Sequence, residues 1–594
     1  MKPITTMNTL RPKNAVHLSR SVTDRRTLLA LALALAAQGA SADSPALNPY
    51  LAQSYNNQSH LNDGATNSVD FAVQRGHYAL TPQSAEVIPN ESFSGPLVMD
   101  KVGGKDVYWW WSGFGLRKLV DEQGKLVEVA HTQAPVTLPN YQTVTPQQRR
   151  EQALAVQKFL DAGDEKGLLT YLKAQPNRLI SMAEDQVAAG ALYTLLGRDD
   201  TFYSGSGRRF FRIAQKDPQD PKSTMTQMHT VIFPESLFDN EKVARGTRFK
   251  GDMIFGMGMS YNGYVVANTL GGKVITLNRD TLEIIDTFSV AGDQELFLNS
   301  FATGPEANNG AVYVASNSNM YRLVVDKDGK IHSDEASGAW KAPYDRGVMM
   351  GAPKIADGTG STPALMGFGA NDDKLVVITD GAKKMRLVAF WRDQIPQGWK
   401  QRPGTLSPRI ADQHVVDMGE GIETVQSEQG VATSGNYAFV VNNIPNKQVT
   451  PLDHSLAFAN LTNGATRPGP RGAAAFQWQQ DSHSWQQKWS RDDVSSVSVV
   501  PLISGPSHMA IIDGYFANKW NDRYTIGMDL DTGKSVLTIR KGSDPSYNGF
   551  YAVVKVDTKG RIMHGNAFGL ARLDTDKMEK VEAPDAALNT AANR

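Results

Sequence analysis

Cysteine is absent from all 594 residues, which excludes disulfides, thiolate metal sites and a thiol nucleophile together. Charge of a dominant sign is missing as well. The 61 basic and 61 acidic residues cancel, so no general electrostatic reason exists to expect nucleic acid or an anionic membrane surface as partner. Several local templates do not occur either. No Gly-x-Gly-x-x-Gly precedes a helix, no Walker loop is present, and Gly205-Ser206-Gly207 lacks the spacing of a serine-hydrolase elbow. No His-x-x-x-His pair raises the case for zinc.

What is present is turn chemistry and short β-branched runs. The 52 glycines, 29 prolines and 10 tryptophans on a 41% hydrophobic chain suit a turn-dense all-β protein. Residues 361–393 hold one complete unit: strands Ala364 to Phe368, Leu375 to Thr379 and Met385 to Phe390, joined through Asn371-Asp372-Asp373 and Asp380-Gly381. A small meander with both faces apolar cannot bury them alone, so copies must stack. Comparable units begin near Leu97, Thr201, Tyr261, Phe297, Glu423, His508 and Tyr551. Within them, Ser455 to Asn460 is expected as a strand of the sixth unit, and Met578 to Glu582 as the outer strand of the eighth.

These units predict a β-propeller of eight blades, with seven as the alternative count, over residues 93–583; closing a ring removes the long unpaired edge of an open sheet. Alternation puts Trp109 and Trp111 on one face of their strand and Trp110 on the other, a pattern for inter-sheet packing. Residues 146–197 interrupt the β pattern with two expected helical segments, one from Pro146 and one over Leu179 to Leu196.

At the N-terminus, Arg25-Arg26 precede the apolar run Leu28 to Ala37, and Ala40-Ser41-Ala42 offers a small-x-small cleavage site. The run is too short to span a bilayer. Residues 1–42 are therefore expected to be a removed export signal of the general secretory or twin-arginine type, making the mature protein periplasmic or secreted without a transmembrane segment. The alternative is a membrane-anchored N-terminus. Residues 43–92, rich in Asn, Gln and Ser, read as an extended arm over the surface, and 584–594 as a tail.

The words Leu530-Asp531-Thr532-Gly533-Lys534 with Val536 to Arg540, and Ser361-Thr362-Pro363 at the head of an inner strand, resemble the repeats of quinoprotein-alcohol-dehydrogenase-like propellers. That resemblance implies the propeller fold and, for its enzymatic members, pyrroloquinoline quinone as cofactor. The family also includes non-enzymatic members such as outer-membrane assembly lipoproteins. Those enzymes stack the quinone on a vicinal disulfide and a tryptophan, and the lack of cysteine and of recurring blade tryptophans here disfavours the quinone.

In a propeller the inner strands line a central axis, so polar residues at their heads converge there. The candidates are Asn299, Ser300, Thr362, Glu423, Gln426, Ser507, His508 and Asn548, with His564 and His229 behind them. Glu423 with Asn299 forms part of the oxygen-donor set that calcium prefers, while Glu423 and His508 are the candidate acid–base groups. Thr362, Gln426, Asn299 and Asn548 are candidate cofactor contacts. Three functions compete: an oxidoreductase acting on an alcohol or related small molecule, a calcium-dependent hydrolase or lactonase, and a non-catalytic module that binds a ligand or a protein partner.

Overall fold

The computed structural model describes residues 44–584 apart from 55, 134–137, 190–191, 446–451, 497–498 and 551. The expected export signal lies outside the described residues, as does nearly all of the expected C-terminal tail. Eight sheets of four or more strands succeed one another along the described chain. The first comprises Ser94–Val102, Lys105–Ser112, Gly115–Glu122 and Lys125–Gln133, each antiparallel to the next. The first strands of the next six are Thr194–Leu196, Ile254–Met259, Ala302–Gly304, Ala364–Met366, Ala432–Ser434 and Leu502–Ser504. The eighth starts at Lys555–Val556.

The last sheet takes its outer strand from the other end of the chain. Ala85–Pro89 pairs with Gly569–Leu573, whereas Glu579–Lys580, which sequence patterning assigns to this sheet, pairs with Gly76–Ala79 at the edge of the seventh. Joining the chain's two ends in shared sheets covers edges that would otherwise stay open.

Residues 48–67 correct the expectation of a surface arm. Within this segment, residues 56–67 are buried, and the segment bonds to the first strand of every one of these sheets. Asn56 bridges the last and the first: its amide donates to Val556 O at 3.1 Å, and its carbonyl accepts from Met99 N at 2.9 Å. Leu196 N then donates to Asn57 O at 2.8 Å, Thr303 N to Asp63 O at 2.8 Å, Leu365 N to Gly64 O at 2.8 Å, Thr433 N to Thr66 O at 2.8 Å and Ile503 N to Asn67 O at 2.9 Å. The third sheet is reached by Asn48, whose side chain donates to Met259 O at 3.0 Å. The polar composition that suggests solvent exposure serves another purpose here. First strands leave one edge of N–H and C=O groups unpaired; main-chain carbonyls of this segment answer most of it, and its polar side chains chiefly bond to one another inside the protein, as Asn48 to Asp63, Asn62 to Thr66 and His60 to Asn67.

Two further expectations are corrected by local chemistry. Three helices, α1 (Pro146–Asp161), α2 (Glu165–Ala174) and α3 (Met182–Ala189), occupy the insertion, and Thr194–Leu196 at its end is a strand. The start of α1 is set by Pro146 and by a reciprocal cap between Thr145 and Gln148. The segment expected as a strand from Ser455 is α4 (Leu456–Thr462), whose first turn Ser455 caps through Phe458 N.

Trp109 and Trp111 share a core with Ala153, Val156 and Leu160 of α1, while Trp110 packs with Leu97, Leu119 and Met563 in another. Period-two alternation therefore separates the three indoles as the sequence requires. Among the described residues no helix is long and apolar enough to cross a membrane.

Candidate functional site

The heads of the first strands surround a cavity of about 210 Å³. Gly95, Pro96 and Leu97 come from the first sheet, Tyr193 precedes the second, Phe255 belongs to the third, and Asn299 precedes the fourth. Glu428 and Gln429 precede the sixth, Val500 the seventh, and Lys555, His564 and Gly565 come from the eighth. Ala183, Gln186 and Val187 of α3 and Leu456 of α4 complete the wall, so the helical insertion contributes to this cavity. Most of the lining is aliphatic or aromatic, the common make-up of a small-molecule site with a few placed polar groups.

Lys555 stands out among those polar groups. It is buried, and its ammonium donates to Gln58 O at 2.7 Å and Ser59 O at 3.0 Å. No carboxylate forms an ion pair with it among the described residues. Burial without a counter-ion penalises the charged form and lowers its pKa from the ordinary lysine value to about 7.

His60, from the buried segment 48–67, lies close enough to Lys555 for their charges to interact. Its pKa is lowered to about 4, chiefly by burial, with Lys555 adding to the effect against the Asn67 hydrogen bond. The imidazole is therefore neutral near pH 7. Its Nδ1 meets Asn67 Oδ1 at 2.8 Å, and its Nε2 stands 3.1 Å from the Thr362 hydroxyl. That hydroxyl is also 3.0 Å from Asn299 Oδ1, which accepts from the Tyr193 phenol. Tyr193 stacks on His60 with ring centroids 5.7 Å apart. His60, Thr362, Asn299 and Tyr193 thus form one network drawn from four separate chain segments.

Two more ionisable groups face the cavity. Burial raises the Glu428 carboxyl to about 7 against the opposing influence of Lys354, the Ile355 amide and Arg248; Ile355 N donates to its Oε1 at 2.5 Å. Glu428 is half-buried because one side opens toward the cavity. His564 is wholly buried and lowered to about 4 by burial, with Asp513 opposing. Among the described residues neither of its ring nitrogens has a side-chain hydrogen-bond partner, and the nearest carboxylate oxygen, Asp513 Oδ2, is 3.6 Å from Nε2.

Of the residues singled out from sequence, the structure brings Asn299, Thr362 and His564 into this site. Glu423 does not face the axis. Its side chain is 86% exposed and pairs with Lys383 at 3.8 Å, because the loop before the sixth sheet turns it outward. The premise of a buried carboxylate needing a cation therefore fails for Glu423. Gln426 is buried but spent on loop backbone, donating to Val348 O, Gly381 O and Ala382 O and accepting from Met350 N. Ser507 is spent on backbone, its hydroxyl accepting from Val73 N and donating to Val73 O at 2.8 Å each.

His508 lies in a separate surface pocket, 2.9 Å from Asp531 Oδ2 and edge-on to Tyr437. Asn548 ends a short 3-10 turn, Ser300 donates to Met257 O at 3.4 Å, and His229 is exposed against Thr281 O. Lys555, His60, Glu428 and Tyr193 escape sequence reading. The one local signal is Lys555 itself, a lone cation between Val554 and Val556.

The residues present suit neither the calcium read from the oxygen-donor set nor the quinone that the resemblance implies. Calcium takes six to eight oxygen ligands. Among the described residues no set of three or more His, Cys, Asp or Glu side chains is arranged to hold a metal, and the cavity's one carboxyl is already engaged by a backbone amide. No tryptophan lines the cavity to stack a quinone.

No known protein-family profile matches the chain. An uncharacterized protein of Archaeoglobus fulgidus is 28% identical over 327 residues, covering 54% of this chain and 61% of that protein. The chain thus spans about three-fifths of the length of that relative. Among solved structures, the quinohemoprotein alcohol dehydrogenase of Comamonas testosteroni aligns over 91% of this chain and 82% of its own, at 9% identity and a TM-score of 0.46. BamB of Moraxella catarrhalis aligns over 63% of this chain and 93% of its own, at 12% identity and a TM-score of 0.33. The likeness to both is one of fold alone.

Proposed function

We propose that the sheets form an eight-bladed ring around residues 48–67, the axial segment, and that its cavity binds a small, largely apolar molecule carrying one acceptor head group. The observation that carries this reading is Lys555: a buried ammonium at the cavity wall, bonded to two carbonyls and matched by no carboxylate among the described residues. A buried charge without a partner is costly, and a site that keeps one has a use for it. An anion or carbonyl oxygen brought against Lys555 supplies the missing acceptor, while Leu97, Leu298, Val500 and Val553 receive the apolar body. The alcohol-oxidoreductase and calcium-lactonase readings both need an axial quinone or ion, and the donor set above suits neither.

Calorimetric titration with benzoate, benzaldehyde and benzyl alcohol tests this reading. Benzoate or benzaldehyde is expected to bind more tightly than the alcohol, and Val553→Phe, which fills the wall, is expected to abolish binding while leaving the circular dichroism unchanged. At 100 times its dissociation constant such a ligand adds about 2.7 kcal/mol of stability. Heats no larger than dilution for all three compounds would remove the binding reading.

We further propose that the protein works outside the cytoplasm after loss of residues 1–42, which the Arg25-Arg26 pair, the apolar run and Ala40-Ser41-Ala42 support. N-terminal sequencing of the exported chain is expected to begin at or near Asp43; a mature chain that retains Met1 contradicts it.

A further inference from the structure

The chemistry of the Lys555 amine selects among acceptor ligands. An ammonium that only neutralises an anion works best when firmly charged. Lys555 is instead placed where its charge is least supported: buried, beside His60, and bonded to two neutral carbonyls. Lys118 and Lys242 are also buried on oxygen acceptors without an ion pair among the described residues, but neither lines the cavity. Lys541 is wholly buried too, but Asp513 pairs with it directly. Lys354 is held by Gly358 O and Thr359 O under the field of Glu428 and Asp380. Lys555 combines burial, lack of a carboxylate partner and a place on the cavity wall.

From this geometry we infer that Lys555 is a nucleophile that captures small aldehydes or ketones as an imine inside the axial cavity. The inference rests on the binding reading above and narrows its ligand to carbonyl compounds. The neutral amine nitrogen attacks the carbonyl carbon, forming the C–N bond as the C=O π pair moves to oxygen. The carbinolamine then breaks its C–O bond, and the oxygen leaves as water with the two hydrogens that the nitrogen carried. No electrons are gained or lost, so no oxidant or reductant is required.

The first half needs an uncharged amine, which a lysine with a pKa of about 7 supplies at neutral pH, and the second needs an acid near the departing hydroxyl. Glu428 faces the same cavity with a carboxyl raised to about 7, so it can give a proton in dehydration and take one back in hydrolysis. The neutral His564, on the same wall and without a side-chain partner for its ring nitrogens among the described residues, offers a hydrogen-bonding position for the oxygen or the water it becomes.

The full chain would be incubated at pH 7 with benzaldehyde or hexanal and cyanoborohydride, then digested and mapped by mass spectrometry. The expected result is a reductive adduct on Lys555 at least about tenfold above that on exposed lysines such as Lys327, consistent with its larger neutral fraction. Lys555→Met is expected to lose the adduct with unchanged circular dichroism. Should that variant not fold, Val553→Phe in a chain retaining Lys555 is expected to lower the adduct by a similar factor. Benzaldehyde that binds by calorimetry while labelling falls evenly over exposed lysines would overturn the imine and leave the binding site standing. Absence of both binding and selective labelling would overturn both.

Discussion

Lys555→Met is expected to stabilise the protein most in acid and progressively less as pH rises. In the folded state the Lys555 pKa is about 7 against 10.5 for an ordinary lysine, so between those values the unfolded chain binds more protons than the folded one. Stability therefore rises with pH across that window for the wild type. Below pH 7 both states carry the charge, and the folded state bears the full cost of burying it. Methionine of similar length removes that cost together with the hydrogen bonds to Gln58 O and Ser59 O.

Converting the shift at the usual rate gives a swing of about 4 kcal/mol in relative stability between pH 6 and pH 10. Urea unfolding of both proteins at several pH values measures it. A difference that stays flat over this range would mean that Lys555 is not buried as a charge without a partner, and the nucleophile would lose its basis. A functional residue that stabilises when removed is the expected signature of a site maintained against the fold's own interest.

The strands were legible because each announces itself locally. In Leu375–Thr379 every residue is apolar or β-branched and every one is buried, and Asp380-Gly381 marks its end. The axial segment was not legible for an equally physical reason. Asn57, Asp63, Thr66 and Asn67 are polar because their side chains bond inside the protein to Ala52 O, Asn48, Asn62 and His60, and nothing in a one-dimensional pattern distinguishes that duty from solvation.

The candidate site divides along the same line. Asn299 and Thr362 were found because strand heads converge on an axis, a rule of architecture. Glu423 fits that rule by position, yet its loop turns away, and side-chain direction in loops is not carried by spacing. Lys555 and Glu428 matter through desolvation, which depends on what lies around them from other sheets. Such groups become visible only when the chain is closed.

Asp513→Ala is expected to cost about 3–5 kcal/mol, because it strands the Lys541 ammonium in the interior. Asp513 Oδ1 pairs with Lys541 Nζ, both side chains being essentially inaccessible, and Oδ2 accepts from Gly549 N at 2.6 Å. Burial alone would raise the Asp513 pKa, but the charges of Lys541 and His564 outweigh it and hold the carboxyl below its ordinary value. Its stabilising contribution is therefore present above the ordinary carboxylate range and is lost as pH falls through the lower folded value. The alanine variant should then approach the wild type in stability as the solution becomes strongly acidic. Breaking one partner and replacing both are different experiments. Asp513→Leu combined with Lys541→Met removes the two charges together, and the double variant is expected to recover most of the loss, leaving chiefly the unpaired Gly549 amide. The same double variant tests the site, since His564 would lose the one carboxylate that faces it while Lys555 keeps its surroundings. If unfolding midpoints placed the double variant below the single one, the pair would be stabilising the interior through packing rather than through charge compensation, and the electrostatic account of this wall of the cavity would have to be given up.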